Sequence, residues 1–599
     1  MGLTAACEWA QTWLHALADG PADGRGGLAM SGAARTLFAL PTPISGMARR
    51  FLSFRHVSSE AWSGILFVVV VSITAHLFFS WMGFNPTDDG FSLAYARRLL
   101  EGQTPHADFI TLRPVLSPLM HMPEVMLGGD YAIWIGRLSV WIQLACIAWW
   151  WVAIPSILMR QKLPVLARVG IGVIAFCISA HSFPIMPWHT IDGLFLVSLG
   201  TLLCVRSSPK KRWLGYFILA LAYLTKQSFL LVAPLVIFLM NDFRSFRCWA
   251  AILLPAFLYG ALLMATGALA DSYAQLAAHT NAYEIGVLSY TSNRSVLHAV
   301  IVGAVAGWLV VGYSQHPIRW RQAVAKTGAL IMAAVPFYEM ASALSTGSTP
   351  ELAFILWGFA AGICGYLVMA DQDDAHRQII IGFCFALIAS WSASISLGYA
   401  TPILGAAGLI AAIAILAYRF CAGAWRVSFN VIIAVCALFT VQQFFIAREQ
   451  YIYRQPSVQY LTKELGEVFP GGKGIRTDEK TYALLGDLQG AIHREKGMGK
   501  IYAILPDLAG YWVKAPETNP LPIDWALSTE LPNELLTNKV IDSLNAKRGS
   551  IVVLIQKVRA DTIALGGALL GDSGYSPPVT YVKKNFTRTG DTRFFEIYE

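Results

Sequence analysis

The chain has 599 residues, of which 55% are hydrophobic and only 14% charged, where soluble domains carry about a quarter. That composition excludes a soluble globular protein and predicts a polytopic α-helical membrane protein. The net charge of +8 would suggest nucleic acid in a soluble chain, but the basic residues lie in short loops between apolar runs, so no nucleic-acid partner is inferred.

Residues 1–60 are rich in Gly and Ala with scattered Arg, lack the organisation of a signal peptide, and read as a poorly ordered cytoplasmic segment. Arg49, Arg50 and Arg55 precede the first apolar run and favour an inside N-terminus. A span needs about 20 mainly apolar residues. On that criterion helices fall near 61–84, 131–158, 165–184, 190–206, 212–225, 227–240, 249–268, 294–313, 327–345, 351–370, 378–397, 401–419 and 428–447. The fifth and sixth are too short for simple rods and read as tilted, broken or a single hairpin around Lys226, so the count is 11–13. Arg160, Lys162, Lys210, Lys211, Arg244, Arg319, Arg377 and Arg419 fall in or beside alternate loops, which places those loops in the cytoplasm and the intervening ones outside.

The loop 85–130 follows the first span and opens with Asp88 and Asp89 at the membrane lip. Its residues 91–100 have helical periodicity, with Leu93, Ala96, Leu99 and Leu100 on one side and Arg97, Arg98 and Glu101 on the other. A Pro-punctuated stretch carrying His106, Asp108, Arg113 and His121 completes it. Beyond residue 447 the composition becomes that of a soluble domain, with strand-like runs at 501–505, 550–555 and 593–598 and helix-like pieces at 458–468 and 531–544. Residues 448–599 therefore predict a small extracytoplasmic α/β domain behind a transmembrane body of 61–447.

Several groups could carry chemistry. A carboxylate at a membrane boundary can take a proton from a hydroxyl within reach, although Asp88 could equally cap the helix that follows it. His189 and Asp192 are three apart and share a helix face, so the acid could orient the imidazole; an interfacial anchor beside Trp188 is the plainer alternative. Lys226 interrupts nearly thirty apolar residues and must snorkel or meet an anion such as a lipid phosphate. Arg113 and Arg294 suit phosphates, and Tyr283 lies in an aromatic-rich outer loop suited to sugar rings. Nine cysteines without paired ligand spacing, and the absence of HExxH, P-loop or GxSxG patterns, indicate neither a disulfide framework nor a metal or other cofactor.

The run from Asp88 through EGQTPHADF to RPVLSP, together with the later LTKQSFLL, resembles the first extracytoplasmic loop and mid-chain Lys segment of GT-C superfamily membrane glycosyltransferases, relatives of protein mannosyltransferases and aminoarabinose transferases. The resemblance implies a GT-C-like fold and an inverting transfer from a polyprenyl-phosphate-linked sugar to a glycolipid, polysaccharide or protein acceptor. It puts the base on the pair Asp88/Asp89, with Asp88 favoured, and gives Lys226 the departing phosphate. It makes His189, Asp192 and Arg113 donor or acceptor contacts; from residue type and position alone, Arg113 and Arg294 are candidates for the donor phosphate and Asp108, His106 and Tyr283 for substrate contacts. It implies a monomer in a bacterial inner membrane with lipid as its surroundings. The sequence departs from protein mannosyltransferases in its short central loop and in lacking an MIR-like insertion. A transporter or flippase for lipid-linked sugars, or a polymerase or ligase of lipid-linked glycans, are the competing readings.

Overall fold

The computed structural model describes residues 59–599 apart from 182–184, 279–280, 315, 371–373, 396–401, 498 and 571–574. The expected cytoplasmic segment up to residue 58 lies outside these. The chain divides into two units, Met1–Trp62 and Ser63–Glu599, and the second is a single compact body that carries everything below.

Among the described residues ten helices are long and apolar enough to cross a membrane, from Glu60–Phe79 to Ala424–Gln450. Three shorter apolar helices, Val165–His181, Trp213–Tyr223 and Gln227–Leu239, complete the set. Helices of this kind satisfy most of their backbone groups internally, as a bilayer demands. The protein is a multi-pass α-helical membrane protein with a small C-terminal sheet. Ile403–Phe420 is the most buried of the ten, and its run of Ala and Gly lets neighbours close on it, Gly408 lying against Trp151. The fifth and sixth runs are broken: the helix Trp213–Tyr223 ends, Lys226 takes an extended backbone, and Gln227–Phe229 turns into Val232–Leu239.

Among the described residues the C-terminal region holds six strands. The pair β1 (Lys463–Glu464) and β2 (Arg476–Thr477) is antiparallel. The strands β3 (Ile501–Leu505), β4 (Ile551–Gln556), β5 (Arg588–Asp591) and β6 (Phe595–Tyr598) form one sheet in the order β3-β4-β6-β5, with β3 and β4 parallel and the others antiparallel. The stretch 458–468, which reads as helix in sequence, is instead two single 3-10 turns around β1. Its residues 463–464 pair with β2 instead, and the Leu465 N–H donates to the Ile475 carbonyl at 2.9 Å. The helix Glu479–Gly497 and strand β5 are elements that the sequence patterns did not suggest.

The first loop is part of this domain's core. Helix α1 (Phe91–Leu100) sends Leu93 and Ala96 into a cluster with Tyr502, Ile504, Val552, Leu554 and Phe595 on one face of the sheet. Ile110 and Leu112 join Ala503, Leu505, Val553 and Val540 on the other. Burying a Leu or Ile of this kind contributes roughly 1.5–3 kcal/mol. The polar side of α1 is covered as well: Arg98, which reads as solvent-facing in sequence, is buried and bonds Asp524 through both Nε and Nη2 at 2.7 Å.

Close backbone approach completes the seam. A Cβ on Gly510 would stand 2.4 Å from the Asp89 carbonyl oxygen. Gly510→Ala should therefore displace the turn at Asp89 and destabilise the protein by about 1–3 kcal/mol, a loss read from thermal unfolding of the detergent-solubilised chain.

Candidate active site

The sequence Asn-Pro-Thr-Asp-Asp-Gly at 85–90 folds as a tight turn. Asn85 Oδ1 accepts from the backbone N–H groups of Thr87 and Asp88 at 3.2 and 3.0 Å, and the Asp89 N–H donates to the Asn85 carbonyl at 3.0 Å. Gly90 then takes a left-handed φ of 92° at the N-cap of α1, a conformation open to Gly at little cost. No side chain caps that helix, so Asp88 is not the cap that its position in sequence allowed.

Each carboxylate of the pair has its own cation. Asp88 Oδ2 accepts from the Tyr453 hydroxyl at 2.7 Å and from Arg454 at 2.8 Å. Asp89 Oδ2 accepts from Arg137 at 3.1 Å and from the Asn85 N–H at 2.9 Å, and its Oδ1 has no hydrogen-bond partner among the described residues. Arg137 is fixed in turn by the carbonyls of Ser80 and Gly83 at 2.8 and 2.7 Å. Burial raises both carboxyls above their ordinary range, and the neighbouring guanidinium groups oppose that rise.

A cationic cluster forms at the helix break. Lys226 is 6% exposed and donates to Thr190 Oγ1 at 3.1 Å; among the described residues no carboxylate pairs with it. The Arg113 guanidinium is near enough for its charge to act on both Lys226 and His189, and it is held by Glu530 through two bonds of 3.1 and 3.2 Å. The Tyr283 hydroxyl donates to the Gln227 carbonyl beside Lys226. His189 accepts from Trp188 Nε1 at 3.1 Å, leaves Nδ1 buried without a partner among the described residues, and packs its ring 5.9 Å from that of Phe91. Phe91 opens α1 two residues after Asp89, so it connects the acidic turn to the cations.

Asp192 does not orient His189, contrary to the spacing argument. It accepts from Ser117 at 2.6 Å and Gln143 at 2.7 Å and pairs with His121 at 3.0 Å, which also meets Glu124 at 3.0 Å. His106 is saturated by Gln275 at 2.9 Å and Tyr259 at 2.7 Å and ties the first loop to the helices Phe246–Ala265 and Leu269–Leu276. Asp108 closes its own turn by accepting from the Thr104 N–H at 2.6 Å. Arg294 is exposed at the start of the helix Arg294–Gly307. Neither Asp108 nor Arg294 is bonded to the cluster among the described residues. No group of three or more His, Cys, Asp or Glu among the described residues is arranged to hold a metal ion.

Arg137, Tyr453, Arg454 and Glu530 complete the site and were not singled out in sequence. Arg137 had a signal, since an ionisable residue inside an apolar run is costly unless paired. The other three lie some 365 to 417 positions from their partners and carry none.

No protein-family model matches the chain, and no curated protein matches it. Among solved structures, the crystal structure of ArnT from Cupriavidus metallidurans in the apo state is similar at 11% identity with a TM-score of 0.38, covering 90% of this chain and 98% of that one.

The His121 pairing has a pH signature. Burial is the largest influence and acts to lower the imidazole, but Asp192 and Glu124 together outweigh it and raise it to about 10. The stabilisation is thus complete below the unfolded value of about 6.5 and is lost as pH rises toward 10. The melting temperature should fall over that window in the native protein and fall less in His121→Gln.

Proposed function

We propose that the protein is an inverting glycosyltransferase that moves a sugar from a polyprenyl-phosphate donor to a hydroxyl of an extracytoplasmic acceptor: a glycolipid, a polysaccharide or a protein. The observation that carries this reading is the division of charge between the acidic turn and the helix break. Two buried carboxylates with dedicated cations stand at one end of the Phe91–His189 contact, and a buried Lys without a carboxylate partner among the described residues stands at the other. A transferase of this kind needs those two functions, a proton acceptor and a cation for the leaving group.

The donor's isoprenoid tail stays in the lipid while its phosphate reaches Lys226 and Arg113 at the helix break. The acceptor hydroxyl gives its proton to Asp88, and its oxygen attacks the anomeric carbon. The bond from that carbon to the phosphate oxygen breaks, the electron pair leaves with polyprenyl phosphate, and configuration inverts. Both bonds from Tyr453 and Arg454 fall on Asp88 Oδ2, which leaves Oδ1 for the incoming proton. Asp89 also takes two bonds on Oδ2, from Arg137 and the Asn85 N–H, but its Oδ1 is fully buried, and it acts as the brace of the turn. His189 Nδ1 is a buried polar atom able to meet a sugar hydroxyl.

The broken helix pair at Lys226 is also what a transporter site presents, so the test separates the two. Purified protein supplied with a panel of radiolabelled polyprenyl-phosphate sugars and membrane-derived acceptors should transfer label. Asp88→Asn should lower turnover by about 10²- to 10⁴-fold without loss of donor binding. Movement of lipid-linked sugar across liposomes with no transfer from any donor would make the protein a flippase.

A further inference from the structure

The acidic turn is held from outside the membrane body, and the grip comes from the C-terminal sheet. Asp507 lies just past the carboxyl end of β3, and Asp561 lies in the turn that follows β4. Open sheets with parallel strands place their functional groups at that edge. Here the edge points at residues 85–89. Thr87 Oγ donates to Asp507 Oδ2 at 2.6 Å, and Asn85 Nδ2 donates to the Asp561 carbonyl at 3.1 Å. Arg454 spans from Asp88 at 2.8 Å to the Asp561 carboxylate at 3.5 Å, and Arg559 bonds Asp561 through Nε and Nη2 at 3.1 and 2.7 Å.

Asp507 is the unusual member of this group. It is 1% exposed, its Oδ1 has no hydrogen-bond partner among the described residues, and no cation pairs with it there. Asp561 has two arginines and Asp88 has one. A buried carboxylate in that state weakens the fold. Asp88 from the first loop and Asp561 from beyond β4 face it with like charge, Tyr575 faces it as well, and burial together with those charges raises it to about 7. A residue that destabilises the fold while gripping the turn beside the base is better explained by the turn than by stability.

We propose that Asp507 is a positioning residue of the active site, holding the acidic turn in its reactive geometry through Thr87, so that the C-terminal domain is part of the catalytic machinery. The proposal rests on the transferase reading, in which Asp88 is the base. Misplacing that base by even a fraction of a hydrogen-bond length slows the chemical step without changing how the donor phosphate is bound at Lys226.

The test uses the full-length protein in detergent or nanodiscs. Asp507→Asn should lower kcat about 10- to 100-fold with donor KM little changed, while its melting temperature above pH 7 equals or exceeds that of the native protein, because a buried charge has gone. A purely structural residue would lose stability and activity together, and that result overturns the proposal. Thr87→Val should lower kcat likewise, Thr87→Ser should restore it, and the double variant Thr87→Val/Asp507→Asn should fall no further than either single one. Additive losses would overturn the proposal.

Amide hydrogen exchange over residues 85–90 gives a readout free of turnover. It should accelerate in Asp507→Asn and Thr87→Val and remain native in Thr87→Ser; native exchange in all three defeats the proposal. If Asp88→Asn is inactive and Asp507→Asn fully active, the transferase reading survives and this proposal does not. If no donor supports transfer by any form, the transferase reading falls, and exchange alone decides whether Asp507 holds the turn.

Discussion

The structure depends on the burial of the first loop within the C-terminal sheet. Leu93 and Ala96 complete the apolar layer on one face of that sheet, Ile110 and Leu112 complete the other, and the buried pair of Arg98 with Asp524 fixes the register between them. The net energetic worth of such a pair is modest because both ions lose their hydration. Its geometry is specific, however, with two parallel bonds of 2.7 Å and a third from Arg98 to the Leu521 carbonyl at 2.9 Å. A sheet that needs residues 91–112 for its core cannot leave the mouth of the helical body without unfolding. The acidic turn at 85–89 is therefore clamped between two parts of one compact unit, and the loop that carries the candidate site is no freer than the scaffold.

The charges follow from that clamp. Carboxylates taken out of water demand partners, and the turn obtains them from three directions: Arg137 from the helix Ala132–Leu158, Tyr453 and Arg454 from the chain leaving the last span, and Thr87 reaching to Asp507. Lys226 has the opposite situation. It sits where two short helices fail to join, with a hydroxyl as its hydrogen-bond acceptor and Arg113 as a like-charged neighbour. A buried cation left in such surroundings is suited to an anion that arrives from elsewhere, which in the proposed reaction is polyprenyl phosphate.

The architecture was legible wherever it rests on local pattern. Apolar runs located the long apolar helices, the pair around Lys226 was recognised as too short for simple rods and is broken, and the periodicity at 91–100 matches the helix Phe91–Leu100. Reading failed where distant residues decide. Arg98 looked solvent-facing because its partner Asp524 is 426 positions away. His189 and Asp192 share a helix face as spaced, but Asp192 is already engaged by Ser117, His121 and Gln143, none of which the spacing could reveal. The stretch 458–468 has an apolar pattern and no α-helix; its residues 463–464 pair with Arg476 and Thr477, a partner strand that local pattern does not reveal. Of the site, the residue types at Asp88, Asp89, Lys226 and Arg113 were visible as charges where charge is expensive, and their separate partnerships were not.

The most direct test of the central claim is the affinity of the full-length protein for polyprenyl phosphate, the lipid that the proposed reaction releases, measured by native mass spectrometry on native protein, Lys226→Met and Asp88→Asn. The account predicts saturable binding to the native protein, at least about tenfold weaker binding to Lys226→Met, equivalent to some 1.4 kcal/mol, and near-native binding to Asp88→Asn. Equal affinity for native protein and Lys226→Met, or no saturable binding to any of them, would contradict it.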